Sequence, residues 1–201
     1  MRKISVLDRI LLLATVLMAA YQISYGLNGL NFLPTWSYTI GFGVLLVAGL
    51  LLIILGFEGL ESQIVVIVST LIPLTISLGL ITEHLPQFST IYILFVFLGF
   101  TSVAVTRYTA EGKTATIVLA VTHGIAGILI TFLPVVLSIR GYVSPGYILV
   151  GVGGALIGLG GLLLAFLKAG RPILPRDTIL SVLPGLLLLM TASYLAGFMY
   201  K

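Results

Sequence analysis

The stretch Trp36–Gly56, WSYTIGFGVLLVAGLLLIILG, decides the fold class, because its 21 residues include no charged side chain. A helix that crosses the apolar core of a bilayer needs about 20 such residues. Six other stretches have a similar length and character, which gives seven predicted spans. The seven are Ile4–Gly26, Trp36–Gly56, Gln63–Thr82, Gln87–Thr106, Thr114–Ser138, Pro145–Lys168 and Asp177–Tyr200. The sequence therefore predicts an all-α integral membrane protein, in which residues 1–201 form a single polytopic domain, a compact bundle of seven transmembrane helices.

The composition of the chain excludes the other broad classes. Its 201 residues are 59% hydrophobic and 8% charged, whereas a soluble domain carries about 25% charged residues. Disorder needs low hydrophobicity and high charge, which is the opposite pattern. The chain contains no cysteine, so disulfides, thiolate metal sites and cysteine nucleophiles are excluded. The net charge of +4 comes from basic residues scattered among the loops, which does not indicate nucleic-acid binding.

The lysines and arginines predict how the bundle is oriented. We call the end of the bundle at which the first helix begins side one, and the opposite end side two. Because cytoplasmic loops are enriched in Lys and Arg, we expect side one to be inside, with the N-terminus inside and the C-terminus outside. Side one holds Arg2, Lys3, Arg9, Arg107, Lys113, Lys168, Arg171 and Arg176, and side two holds Arg140 and Lys201. Five acids on side one are expected to pair with these basic residues: Asp8, Glu58, Glu61, Glu111 and Asp177.

The sixth span is unusually rich in glycine, with seven glycines between Gly146 and Gly161. Glycine inside a helix costs about 1 kcal/mol relative to alanine, so the enrichment needs a reason. Four of the glycines form one stripe, at Gly151, Gly154, Gly158 and Gly161. Small faces let membrane helices approach closely, which predicts a tightly packed central helix. A surface for sliding during alternating access, space for a flat ligand and a homodimer face are the alternatives.

His123 is the only ionisable residue well inside a predicted span. It belongs to a stripe of small and polar residues on one face of the fifth span: Thr116, Ala120, His123, Gly127, Thr131 and Pro134. Ionisable residues inside a membrane are functional candidates by default, and lipid would penalise this face, so we expect it to point into the bundle. A purely structural histidine is the alternative. Haem held between both histidines is disfavoured, because His84 lies at the other end of its span, more than about 10 Å away along the bilayer normal.

Two prolines add to the polar character of the predicted midplane. Pro73 and Pro184 are expected to kink the third and seventh spans, because each removes the hydrogen bond to a carbonyl one turn earlier. Transporters often build substrate sites from interrupted helices at this depth. We therefore predict a polar layer that binds a substrate or ion. Its members are His123, Thr122, Thr15, Ser69, Thr70 and Ser181.

The side-two ends of the spans carry most of the aromatic residues and one acid–imidazole pair. Glu83 and His84 are expected to lie in an ordinary solvated loop, with a surface pH sensor as the alternative. The tyrosines and the single tryptophan predict an interfacial aromatic belt. They are Tyr21, Tyr25, Trp36, Tyr38, Tyr92, Tyr142, Tyr147, Tyr194 and Tyr200.

No catalytic motif, metal-binding pattern or nucleotide-binding loop is present in the sequence. We therefore expect no catalytic residues, no metal and no cofactor, and enzyme activity is disfavoured. The leading hypothesis is a transporter or channel for a small solute or ion, with a midplane site around His123. The alternative is a non-catalytic structural or assembly subunit of a larger membrane complex, such as a respiratory one. The expected partners are membrane lipid and other membrane subunits or further copies of the chain, in the plasma membrane, with no nucleic acid.

Overall fold

The computed structural model describes residues 3–27, 29–110, 113–168 and 172–201. All regular structure in these residues is helical, which confirms the predicted all-α class. Short 3-10 turns at Gly56–Glu61, Pro86–Phe88 and Pro145–Tyr147 join some of the α-helices. The α-helices are α1 Val6–Tyr25, α2 Phe32–Leu55, α3 Gln63–Ser69, α4 Leu71–His84, α5 Ser89–Thr109, α6 Thr114–Ile139, α7 Ile148–Lys168 and α8 Arg176–Met199.

Within the described residues, seven helical stretches are long and apolar enough to cross a membrane. This confirms the predicted count, since α3 and α4 together form the third span. By length and composition the chain is an integral membrane protein. The compartment that each end faces stays a prediction.

Six of the helices form a closed ring in which each packs on the next. The order around the ring is α1, α2, α4, α6, α7, α8 and back to α1, and α5 packs outside the ring against α4 and α6. The side-two half of the ring is filled by a cluster of buried aromatic and aliphatic side chains. Its largest members are Tyr38, Phe42, Tyr147, Tyr194 and Phe198.

Contacts at the two ends of the bundle separate the ends of the chain. On side one, Ile4 packs against a cluster that includes Phe57 and Leu180. On side two, Lys201 forms an ion pair with Glu83. The two ends of the described chain therefore lie at opposite ends of the bundle, as an odd number of spans requires.

The predicted pairing of charges on side one is present for Arg176 and Glu61. Arg176 donates a hydrogen bond of 2.8 Å to the Glu61 carboxylate, and both side chains are about half exposed. An exposed pair of this kind contributes roughly 0–1 kcal/mol, so it marks the surface rather than stabilising the fold. Other members of the predicted set lie outside the described residues, namely Arg2, Glu111, Arg171 and the side chain of Lys168.

The third span is interrupted where Pro73 predicts a kink. Helix α3 ends at Ser69, whose carbonyl Pro73 cannot bond, and α4 begins at Leu71. The Thr70 hydroxyl between them donates to the Val66 carbonyl at 3.0 Å. Pro184 removes one hydrogen bond in the same way, but it lies inside α8, which continues as one helix from Arg176 to Met199.

Candidate functional site

Helices α6 and α7 touch backbone to backbone in the side-two half of the bundle. A Cβ atom added to Gly151 would lie 2.5 Å from the carbonyl oxygen of Thr131. One added to Gly154 would lie 2.9 Å from the carbonyl carbon of Ile130. In a regular helix the amide of residue 134 would donate a hydrogen bond to the Ile130 carbonyl, but Pro134 has no N–H and leaves this carbonyl without that bond. Glycine is therefore required on α7 at this crossing, because any side chain would separate the two helices.

The glycines of the same two helices nearer to side one make no such contact. A Cβ atom added to Gly158 or Gly161 of α7, or to Gly124 or Gly127 of α6, would meet no described atom within 4 Å. Gly158 and Gly161 are exposed. The glycine stripe therefore packs on α6 at Gly151 and Gly154, while Gly158 and Gly161 lie open.

We infer that these open glycines border a space between α6 and α7, which we call the α6–α7 crevice, next to the polar stripe of α6. Thr116 and Ala120 are exposed, and His123 is half-buried. The Nδ1 atom of His123 lies 3.1 Å from the Leu119 carbonyl. Its Nε2 atom has no hydrogen bond to a described residue, so the free edge of the imidazole is available to a ligand.

None of the other predicted site residues forms a described hydrogen bond to His123. Three hydroxyls donate to a carbonyl of their own helix: Thr15 to Leu11, Thr70 to Val66 and Ser181 to Thr178, at 2.9, 3.0 and 2.8 Å.

The remaining two residues of the predicted layer, Thr122 and Ser69, lie on different helices. Thr122 is buried and packs on Gly99 of α5. Ser69 is half-buried at the end of α3 and makes no side-chain hydrogen bond to a described residue. A shared site of these residues around His123 stays a prediction.

A polar network that the sequence did not predict lies at the side-two end, and we call it the side-two network. The hydroxyl of Tyr38 donates to the Glu83 carboxylate at 2.9 Å, and Lys201 forms an ion pair with the same carboxylate. The Nε2 atom of His84 lies 3.0 Å from the Tyr147 hydroxyl. Only 9% of the Glu83 side chain is exposed. The expectation of a solvated loop is wrong, because α4 continues to His84 and its last turn faces the ring interior.

Several tyrosines predicted for the aromatic belt are instead buried in the core. The ring of Tyr38 lies on Gly79 of α4, and a Cβ atom added to Gly153 would lie 2.6 Å from the ring of Tyr194. Tyr147 is also fully buried. The side-two half of the ring is therefore closed by aromatic rings seated on glycines. The belt prediction fits the exposed residues Tyr21, Tyr25, Trp36, Tyr142 and Tyr200.

We expect the α6–α7 crevice to hold water, and single cysteine replacements can measure this because the chain has no cysteine of its own. Ala120→Cys and Gly158→Cys should react with a charged thiosulfonate reagent added from side one. Val121→Cys and Leu159→Cys are the neighbouring controls, because both side chains are exposed on the outside of the bundle. In lipid their thiolates do not form, so we expect them to react at least about tenfold more slowly. Equal rates at all four positions would mean that lipid fills the crevice.

The described residues form a bundle with seven helical stretches long and apolar enough to cross a membrane, and buried aromatic rings fill its side-two half. No three His, Cys, Asp or Glu residues in the described part of the chain are grouped so that they could hold a metal ion. Comparisons of the chain with protein-family models, with characterised proteins and with solved structures find no match. The functional argument therefore rests on the geometry of this chain alone.

Proposed function

We propose that the protein is an alternating-access carrier for a small solute or ion, in a conformation that is open to side one. The observation that carries this proposal is the change along the α6–α7 pair. A Cβ atom on Gly154 would meet the backbone of α6, whereas one on Gly158 would meet nothing within 4 Å. A carrier needs a path that is open to one side of the membrane while the other side is closed. The α6–α7 pair is packed toward side two, at Gly151 and Gly154, and has open glycines toward side one, at Gly158 and Gly161.

The glycines of the crevice also supply a surface on which the second conformation could form. If α6 rocked against α7, Gly158 and Gly161 could meet Gly124 and Gly127 as Gly151 and Gly154 now meet the other end of α6. Two packings of similar quality favour two states separated by a few kcal/mol, which is what alternating access requires.

The side-two network has the arrangement expected of a gate. It joins α2, α4, the start of α7 and Lys201 through Tyr38, Glu83, His84 and Tyr147. Opening side two would break these polar contacts and expose the groups to water, which offsets part of the lost interaction energy. We propose that the crevice faces the cytoplasm, as the distribution of basic residues predicts, and that the membrane is the plasma membrane.

Loosening the gate at side two should change accessibility at both ends of the bundle. We expect Glu83→Gln to raise the reactivity of Ser37→Cys, a buried position near the side-two end of α2, toward reagent added from side two. Each 1.4 kcal/mol taken from the closed state raises the population of the open state about tenfold. Labelling of Gly158→Cys from side one should fall in parallel.

The matched control is Arg140→Gln, which removes an exposed charge on side two outside the network. It should leave both labelling rates unchanged. Rates in the Glu83→Gln protein that equal those of the parent at both cysteines would refute alternating access, because they would show a bundle with one fixed conformation.

A second candidate function is a non-catalytic subunit of a larger membrane complex, and the observation that favours it is the position of α5. This helix lies outside the ring, and a groove of about 350 Å³ separates its outer face from α6. The groove is mainly apolar and includes Phe95, Leu98, Ile117 and Val121. A partner helix seated there would copurify in a fixed ratio from native membranes, and both cysteine labelling rates would then be insensitive to Glu83→Gln.

A further inference from the structure

The carboxylate of Glu83 is buried at the side-two end of α4, and the bundle binds it firmly through one of its two oxygens. The Oε2 atom accepts the 2.9 Å hydrogen bond from the Tyr38 hydroxyl. The Oε1 atom accepts no hydrogen bond from a described residue. The charged groups near Oε1 are the Lys201 ammonium and the His84 imidazole, whose Nε2 atom is 3.8 Å away. A carboxylate has about four acceptor positions, so the Oε1 side of Glu83 still has room for a donor.

The cation that pairs with Glu83 comes from the surface of side two. Lys201 follows Met199, the last residue of α8. Its side chain is 27% exposed, whereas that of Glu83 is 9% exposed. The neighbouring Tyr200 is exposed, and its carbonyl accepts a hydrogen bond from the Ser144 hydroxyl on the connection between α6 and α7. Lys201 is therefore the outer half of the ion pair, and water reaches its side chain from side two.

Aromatic rings shield the inner side of the Glu83 carboxylate from water. The centroid of the Phe198 ring lies 4.8 Å from that of Tyr38 and 6.1 Å from that of Tyr147. The Tyr147 ring also lies 5.4 Å from the imidazole of His84. Tyr38, Tyr147 and Phe198 are fully buried. Opposite charges attract more strongly in such surroundings than in water, so this end of the ring favours a cation beside Glu83 and disfavours an anion.

We infer that the side-two network is a binding site for the primary ammonium group of a small solute, and that Lys201 fills this site as an internal ligand when the solute is absent. The ammonium of the solute forms the ion pair with Glu83 while that of Lys201 moves into water, so the buried carboxylate keeps a cation throughout the exchange. The inference goes beyond the proposed carrier, because such a solute binds at side two whether or not the bundle changes conformation.

The chemistry of the site selects a primary ammonium over other ligands. A primary ammonium carries three donors on a compact charge, as Lys201 does. A quaternary ammonium has no N–H to donate to Oε1 of Glu83, and the carboxylate would repel an anion. A divalent metal ion needs several oxygen ligands, and the described part of the chain offers no group of three acidic, histidine or cysteine residues that could hold one.

Lys201→Met removes the internal ligand, and an added amine should then restore the lost stability. The probe is n-butylammonium chloride, which reproduces the four-carbon ammonium of a lysine side chain. We expect it to raise the unfolding temperature of the purified Lys201→Met protein in a saturable way, relative to sodium chloride at the same ionic strength. Tetramethylammonium should need at least about a tenfold higher concentration for the same rise, because it cannot donate a charge-assisted hydrogen bond.

The parent protein should bind n-butylammonium as well, but at least about tenfold more weakly than Lys201→Met. The tethered Lys201 competes with the amine at an effective concentration in roughly the millimolar range. Isothermal titration calorimetry of the parent measures this binding and does not require the variant to fold. A parent protein that never binds the amine would show that Lys201 is a permanent part of the fold, and this would overturn the inference.

Two matched variants separate the site from a general effect of amines. The double variant Glu83→Gln with Lys201→Met keeps the aromatic rings but lacks the carboxylate, so n-butylammonium should not stabilise it. Lys113→Met removes an exposed lysine on side one and should bind the amine as the parent does. Equal stabilisation of Lys201→Met and of the double variant by the amine would overturn the inference.

The cysteine labelling experiment distinguishes this site from the carrier. Amine binding without any effect of Glu83→Gln on labelling would keep the ammonium site and refute the carrier. An effect of Glu83→Gln on labelling without amine binding would keep the carrier and refute the ammonium site.

Discussion

Gly154→Ala is expected to destabilise the protein, whereas Gly158→Ala, one turn further along the same stripe, is expected to stabilise it. Alanine is favoured over glycine inside a helix by about 1 kcal/mol. At Gly158 nothing within 4 Å opposes the new methyl group, so this gain should be kept. At Gly154 the methyl group would lie 2.8 Å from Ile130 Cγ2 and 2.9 Å from the Ile130 carbonyl carbon. Overpacking of this kind costs about 1–3 kcal/mol, which reverses the sign.

The temperature of half-unfolding in detergent, followed by the fluorescence of the single tryptophan, measures both changes. Leucine at the two positions enlarges the contrast, since Gly154→Leu should prevent folding while Gly158→Leu should fold and only fill the crevice. Equal shifts for the two alanine variants would contradict the divergence of α6 and α7 on which the proposed function depends.

The number and type of the helices could be predicted from the sequence because bilayer thickness imposes its own length on every span. Each of the seven stretches carries enough apolar residues to cross, and nothing about its neighbours is needed to see this. The break near Pro73 could also be predicted, because the missing amide hydrogen acts within a single helix. The number of spans and the break near Pro73 both depend on residues within a single helix, so the sequence of that helix is enough to predict them.

The directions of the side chains could not be predicted, because they depend on which helix packs beside which. Gly151 and Gly158 belong to one stripe, yet the first touches α6 and the second faces open space. Periodicity defines a face, but the crossing of the two helices decides how much of that face is covered. Thr15 and Ser181 likewise share a predicted depth with His123, yet their hydroxyls bond to carbonyls of their own helices.

Glu83 shows how a charge near a predicted helix end can be misinterpreted. Its position suggests the headgroup level, and its neighbour His84 strengthens the impression of a polar loop. The ring arrangement of the helices, with Tyr38 and Tyr147 on the two facing elements, turns the same residues inward. The one feature of the sequence that agrees with this burial is Gly79, one turn before Glu83, which leaves room for the ring of Tyr38. A glycine alone does not predict a buried carboxylate.

Lys201→Met is expected to destabilise the protein strongly, because it leaves the carboxylate of Glu83 buried without its cation. Removing one partner of a buried ion pair costs about 3–5 kcal/mol. The side chain of Lys201 is 27% exposed, so water can reach part of the pair, and we expect a loss at the lower end of this range. The hydroxyl of Tyr38 still donates to Glu83 and limits the loss further.

The double variant Glu83→Gln with Lys201→Met should recover much of the lost stability. It removes both charges, and the new amide oxygen can still accept from the Tyr38 hydroxyl. Lys113→Met, which removes an exposed lysine on side one, should leave the unfolding temperature unchanged. A double variant no more stable than Lys201→Met would argue against a buried ion pair. Recovery in the double variant would mean that the charges at side two are not needed to hold the fold, which leaves a gate as the better reason for burying them there.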